Sequence, residues 1–101
     1  MATSNQIPVP LRKSVRIKLV NGLPTVDSDA VELWSTKGEQ IEWISDHDFV
    51  ICFPHDSPFE SRHFYPGSPT SGKIKHGATG RYKYSVEIGG KILDPTIIVR
   101  P

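Results

Sequence analysis

GRYKYSVEIGGKILDPTIIVRP, residues 80–101, decides how this chain folds. Tyr82, Tyr84, Val86 and Ile88 alternate with Arg81, Lys83, Ser85 and Glu87, the period-two pattern of a strand with one buried face. Gly89-Gly90 turns the chain, since both residues accept positive φ without a Cβ clash, and Lys91 to Leu93 begins the return. Pro95 has no N–H to offer a ladder, so the returning strand is interrupted or bulged there. Asp94 beside it can bond nearby backbone N–H groups, which makes the pair a structural corner. The strand resumes as the apolar run Thr96 to Arg100. Residues 80–100 therefore read as one β-hairpin.

Upstream, Leu11 to Val20 repeats the pattern, with Val15, Ile17 and Leu19 on one face and Ser14, Arg16 and Lys18 on the other. Asn21-Gly22 supplies a turn that Pro24 reinforces. Ala30 to Trp34 is a short strand in which Val31 and Leu33 share a face and Trp34 takes the other. The polar break Ser35 to Gly38 precedes Gln40 to Ile44, where Ile41 and Trp43 face together. Phe49 to Phe53 is the most apolar strand. Phe49, Ile51 and Phe53 point one way and Val50 and Cys52 the other, which predicts a central strand covered on both faces.

Pro54 to Thr79 is a long connection without sustained periodicity, in which Lys73 to Lys75 could add a short strand. Loops of this length in a compact domain are functional or ordered by their own side chains. Taken together, the pattern predicts an all-β fold, a two-sheet Greek-key β-sandwich of about seven strands with one long loop. That domain covers residues 11–101, after a polar, proline-bearing and flexible N-terminal arm, residues 1–10.

At 101 residues the chain supports one domain. Its 12 basic and 11 acidic residues are well mixed and leave a net charge of +1. Arg12, Lys13, Arg16 and Lys18 interleave with Val15, Ile17 and Leu19, as the solvated face of a strand does. No basic stripe with aromatics stands out, so nucleic acid is not an expected partner. No run approaches about 18 apolar residues, so no membrane partner is expected either. Cys52, the sole cysteine, excludes an internal disulfide. The first residues, MATSNQIPVPLRK, lack the apolar region of a signal peptide, and a cytoplasmic location is the expectation.

The order of segments resembles the cupredoxin-like family, the Greek-key sandwiches that include the small blue copper proteins. The resemblance runs from about Val15 to Val99. It rests on a strand ending near Trp43, a polar turn, the His-started apolar strand HDFVICF, a long loop, the Gly-x-Tyr-x-Tyr strand GRYKY and a last apolar strand. It implies a site built from a His before the central strand and a Cys, a second His and usually a Met between the last two strands. His47 stands in the first ligand's place, and its parity with Phe49 puts it on the inward face. The rest of the set is missing. Ser85 stands near the expected cysteine, Glu87 to Gly90 replace the other ligands with a tight turn, and the only methionine is Met1. Cys52 has the opposite parity to His47 and cannot substitute. The resemblance thus implies the scaffold without its copper, and no cofactor is expected.

Four histidines, His47, His55, His63 and His76, leave metal binding as the alternative function. Cys52 and His55 have C-x-x-H spacing, and Asp46, Asp48, Asp56 or Glu60 could complete a zinc or copper set. Ser57, Ser61 and Ser85 are possible nucleophiles. The His47-Asp48 and His55-Asp56 pairs are adjacent in sequence, however, and adjacent strand residues face opposite ways. No nucleophile elbow, phosphate-binding glycine loop or HExxH is present, so catalysis is not expected. Cys52, between Ile51 and Phe53, reads as core packing.

Phe59, Phe64 and Tyr65 place three aromatics on the long loop. They either fold back to cap one end of the sandwich or form an apolar contact patch. The leading expectation is a small non-enzymatic binding or interaction module for an unspecified protein or small ligand. Its contact surface would be the long loop, with Phe59, Phe64 and Tyr65, and the His47 end. A structural domain of a longer assembly is a third possibility.

Overall fold

Among the described residues alternating side chains become ten strands, and the pairing between them follows the buried face of each. A computed structural model describes residues 12–101; the expected arm, residues 1–10, lies outside the described residues. Strand β1 (Arg12–Val20) buries Val15 and Ile17 completely. Asn21 and Gly22 both adopt positive φ, 53° and 77°, the geometry of a tight hairpin turn. They return the chain into β2 (Leu23–Val26), antiparallel to β1 with Val20 opposite Leu23. Pro24 thus lies inside a strand, opposite Leu19, and not in the turn to which its sequence assigns it. It is tolerated because β2 is an edge strand with a neighbour on one side only.

Strand β3 (Ala30–Trp34) buries Val31 and Leu33, and a 3-10 turn (Ser35–Lys37) leads toward β4 (Gln40–Ser45), which buries Ile41 and Trp43. Buried Glu39 anchors this corner. It accepts the Trp34 N–H at 2.6 Å and lies 3.8 Å from Lys13 Nζ. The later strands are β5 (Val50–Cys52), β6 (His63–Phe64), β7 (Gly80–Lys83), β8 (Ser85–Ile88), β9 (Lys91–Leu93) and β10 (Thr96–Arg100). No α-helix occurs among the described residues, and no helix there is long and apolar enough to cross a membrane.

Pairing is only partly sequential. β1 lies between β2 and β4, running parallel to β4 with Val15 opposite Trp43. β10 lies between β3 and β7, parallel to β3 with Val99 opposite Leu33. The third ladder runs β6-β5-β8-β9. β7/β8 and β9/β10 are two halves of one hairpin, because Val86↔Leu93 and Lys83↔Thr96 belong to a single antiparallel register. The break falls at Pro95, whose carbonyl still accepts the Tyr84 N–H at 3.1 Å. The proline expected to interrupt the ladder does so there and nowhere else along the hairpin.

One core collects the inward side chains of all three ladders. Its centre is aromatic: Trp43, Phe53, Phe59, Phe64 and Tyr84 are each at most 3% exposed. Phe53 and Tyr84 stack with ring centroids 5.3 Å apart, and Trp43 meets Phe64 at 5.0 Å. Ring pairs at such separations stabilise beyond simple burial. The indole N–H of Trp43 donates to the Tyr84 hydroxyl at 3.4 Å.

The long connection is ordered by pairing of its own. Beyond β6 it makes isolated bridges Phe59↔Ile74, Tyr65↔Ser68 and Glu42↔Thr70. The last of these lays residues 69–71 along β4, where Trp43 N–H donates to the Pro69 carbonyl and Ser71 N–H to that of Ile41. The strand expected at Lys73 to Lys75 reduces to the single bridge at Ile74.

Candidate functional site

Apolar residues on both sides of β5 predict a strand covered twice, and the structure corrects this. β5 is central in its ladder, between β6 and β8. Phe49, Ile51 and Phe53 are buried, but Val50 is 43% exposed and Cys52 is half-buried. The outer face of the β6-β5-β8-β9 ladder is open. Cys52 is therefore not the core residue that its neighbours suggest.

Register fixes what that face carries. Val50 lies opposite Glu87, and Glu87 opposite Ile92. On the other side Ile51 pairs with Phe64 and Cys52 with His63, so Tyr65 continues the row beyond Val50. One line across the sheet thus reads Tyr65, Val50, Glu87, Ile92. Three of its four members are large, exposed hydrophobics, Ile92 at 63% and Tyr65 at 52%. The next line reads His63, Cys52, Ser85. Cys52 Sγ lies 3.5 Å from His63 Nε2, and Ser85 Oγ donates to the Cys52 carbonyl at 3.4 Å. Asp48, Phe49, Val50, Glu87 and Gly89 line a shallow hollow of about 170 Å³ beside the middle of the row, at its Val50 and Glu87 members.

The three loop aromatics separate. Phe59 and Phe64 are 1% and 3% exposed and belong to the core, so they cannot form the expected contact surface; for these two the fold-back reading holds. Tyr65 alone remains on the surface. Local hydrogen bonds turn Phe59 inward: Ser57 Oγ accepts the Phe59 N–H at 3.0 Å and donates to the Ser61 carbonyl at 2.7 Å.

The four histidines are also dispersed. His47 is exposed in the turn before β5, its N–H bonded to Ser45 Oγ at 3.2 Å, and does not take the inward position its parity predicts. The strand begins only at Val50, and parity does not carry back through the turn. His55 follows β5, His63 lies in β6 and His76 follows Ile74; all are exposed. Among the described residues no three His, Cys, Asp or Glu side chains come together as a metal-holding group. The thiol's neighbour is His63, across the ladder, and not the His55 picked out by C-x-x-H spacing. Ser85 bonds the Cys52 carbonyl, and Ser57 is tied to backbone within its own turn.

Trp34, expected on an outer face, is 38% exposed with Lys37 Nζ 5.4 Å from its ring. No protein-family model, curated protein or solved structure matches the chain. The open face of the β6-β5-β8-β9 ladder is the feature on which a functional reading rests.

Proposed function

We propose that this protein is a copper-free, cupredoxin-like Greek-key β-sandwich acting as a small non-enzymatic interaction module. It docks a protein partner on the open face of the β6-β5-β8-β9 ladder. Support for the sandwich comes from the crossing order, with β1 beside β4 and β3 beside β10, and from the single core enclosed between the ladders. Such crossings fit a chain passing repeatedly between two packed layers.

One observation carries the binding role: Tyr65, Val50 and Ile92, from separate segments of chain, fall in one row across the sheet. Single exposed hydrophobics are ordinary, whereas contiguous ones mark contact sites. The row spans three strand spacings, about 14 Å. A strip of that length and one side chain wide covers far less than the roughly 800 Å² per partner of a stable complex, so the partner is a protein engaged transiently through a matching apolar strip. Glu87 within the row sets the polarity the partner must answer.

A photo-crosslinking phenylalanine at position 65, used in the protein's own cells, tests this. Discrete protein adducts are expected, lost when Val50→Asp and Ile92→Asp are combined, with the circular dichroism spectrum and urea midpoint retained. Adducts insensitive to both substitutions, or none at all, would refute the docking face.

A further inference from the structure

The strand edge that β5 occupies is vacant one step further along. β8 is paired at Ser85 with Cys52 and at Glu87 with Val50. The same edge continues along β7. On the opposite side Tyr84 N–H donates to the Pro95 carbonyl, and Tyr82 lies opposite Ile97 in the same register. Antiparallel ladders alternate, so the backbone groups of Arg81 and Lys83 point away from β10, toward the vacant side. Among the described residues no strand pairs with β7 there.

β5 cannot fill the gap. Pro54, which the register would set opposite Lys83, has no N–H, while the Phe53 N–H belongs to the β6 side, on the Arg62 carbonyl at 2.8 Å. The Arg62 guanidinium takes the carbonyls of Phe53 and Pro54 at 3.1 and 2.7 Å. The chain leaves the ladder here, and a cleft of about 370 Å³ lined by His55, Asp56, Thr79, Arg81, Tyr82 and Lys83 lies beside β7. Strand rise, strand spacing and sheet thickness give on the order of 160 Å³ per extended residue, so the cleft accepts about two.

Its electrostatics are one-sided. Arg81 is exposed and makes no side-chain hydrogen bond or ion pair with a described residue. Lys83 Nζ donates to the Asp94 carbonyl, a neutral acceptor that leaves its charge uncompensated. Asp56, the anion of the cleft, is already engaged by Lys75 at 3.5 Å.

We propose that the free edge of β7 receives an extended peptide segment from a partner protein, with acidic residues at alternate positions. Backbone hydrogen bonds to Arg81 and Lys83 would provide strand addition. The acidic side chains, two residues apart, would stand beside the Arg81 and Lys83 side chains on one face.

The probe is a short capped peptide in which Glu alternates with Val, titrated into the isotopically labelled full chain. Binding should slow exchange of the Arg81 and Lys83 amide hydrogens and weaken with added salt. Arg81→Glu with Lys83→Glu should reduce affinity about tenfold or more, the scale of losing a charge-assisted contact. N-methylation of the peptide backbone at its bonding positions should abolish binding. The Val50→Asp, Ile92→Asp variant should bind the peptide unchanged, which separates this edge from the apolar row. The proposal is overturned if a Lys/Val peptide binds equally well, or if charge reversal has no effect. It also fails if glutamate alone gives the same amide protection, or if a second copy of this chain, detected by sedimentation, occupies the edge.

Discussion

Replacing Phe59 by alanine distinguishes a core residue from a contact residue, because the two roles predict opposite results. Phe59 is 1% exposed and meets Trp43, Phe53 and Phe64 edge-on at centroid distances of 6.5, 5.9 and 6.1 Å. Truncating a buried phenylalanine costs about 3–5 kcal/mol, from lost transfer energy and from the cavity left behind. Here the cavity opens between rings that rest on other rings, so little collapse can fill it and the upper half of that range applies. A domain of this length has a total stability of about 5–15 kcal/mol, so the loss is a large share of it. In urea the midpoint should fall by about 2–3 M, and the melting temperature by about 15–30 °C. Tyr65→Ala, in the same long connection but half exposed, should stay within about 0.5 kcal/mol of wild type. Equilibrium unfolding followed by tryptophan fluorescence reads both, since Trp43 reports on the cluster. If Phe59→Ala leaves the midpoint within about 0.5 M of wild type, or Tyr65→Ala matches its loss, the division of the loop aromatics is wrong.

Three further outcomes are expected. Tyr84→Phe removes the acceptor of the Trp43 indole N–H, a bond long at 3.4 Å, and should cost about 1 kcal/mol in urea unfolding; no loss would mean that the bond contributes nothing. Burial, opposed by the Trp43 hydrogen bond, pushes the Tyr84 hydroxyl up to about 12. The folded protein therefore keeps this proton after the unfolded chain has released it near pH 10. Stability should fall as pH rises from about 10 and level off above about 12, by about 2–3 kcal/mol in all. Parallel curves for wild type and Tyr84→Phe across that range would contradict this. At the β1–β2 turn a Cβ on Gly22 would meet nothing within 4 Å, yet its φ is 77°. Gly22→Val should therefore lose about 1–2 kcal/mol through backbone strain alone, read as a drop in melting temperature; an unchanged value would show that the turn relaxes.

Period-two alternation made most strands legible, because it records which face is buried wherever a strand is half covered. Val15 and Ile17, Val31 and Leu33, and Ile41 and Trp43 all lie inward as their spacing predicts. Alternation fails where it is absent or symmetric. In β5 both faces carry apolar side chains, and nothing local says that the face of Val50 and Cys52 is the open one. Phe59 and Phe64 lie in a loop with no period, and their inward course depends on Ser57, Arg62 and the pairing of β6 with β5, all beyond a pattern's reach. Cys52 and His63 meet only through that pairing. A faint signal existed in His63-Phe64-Tyr65, whose polar–apolar–polar order suits a strand with Phe64 inward. Pro24 misled in the other direction: proline after Asn-Gly reads as turn, although an edge strand accepts it.

The exit from β5 links these separate features to one cause. Pro54 cannot donate to β7, and Arg62 holds both carbonyls at the bend, so the chain must leave the sheet after Phe53. Leaving there sends Ser57 and Phe59 back over the aromatic cluster, which closes the core. It returns the chain beside β5 as β6, and so sets His63 against Cys52 and Tyr65 beyond Val50. It also ends the ladder at Ser85 and leaves β7 without a neighbour on that side. A straight continuation of β5 would have paired Pro54 with Lys83, where the missing N–H leaves a bond unmade, and would have left Trp43 and Phe53 without Phe59. Core closure and an open strand edge thus come from the same local choice. A sequence that satisfies its aromatic core in this way must present unpaired backbone at Arg81 and Lys83, and the charges placed there decide what can approach it.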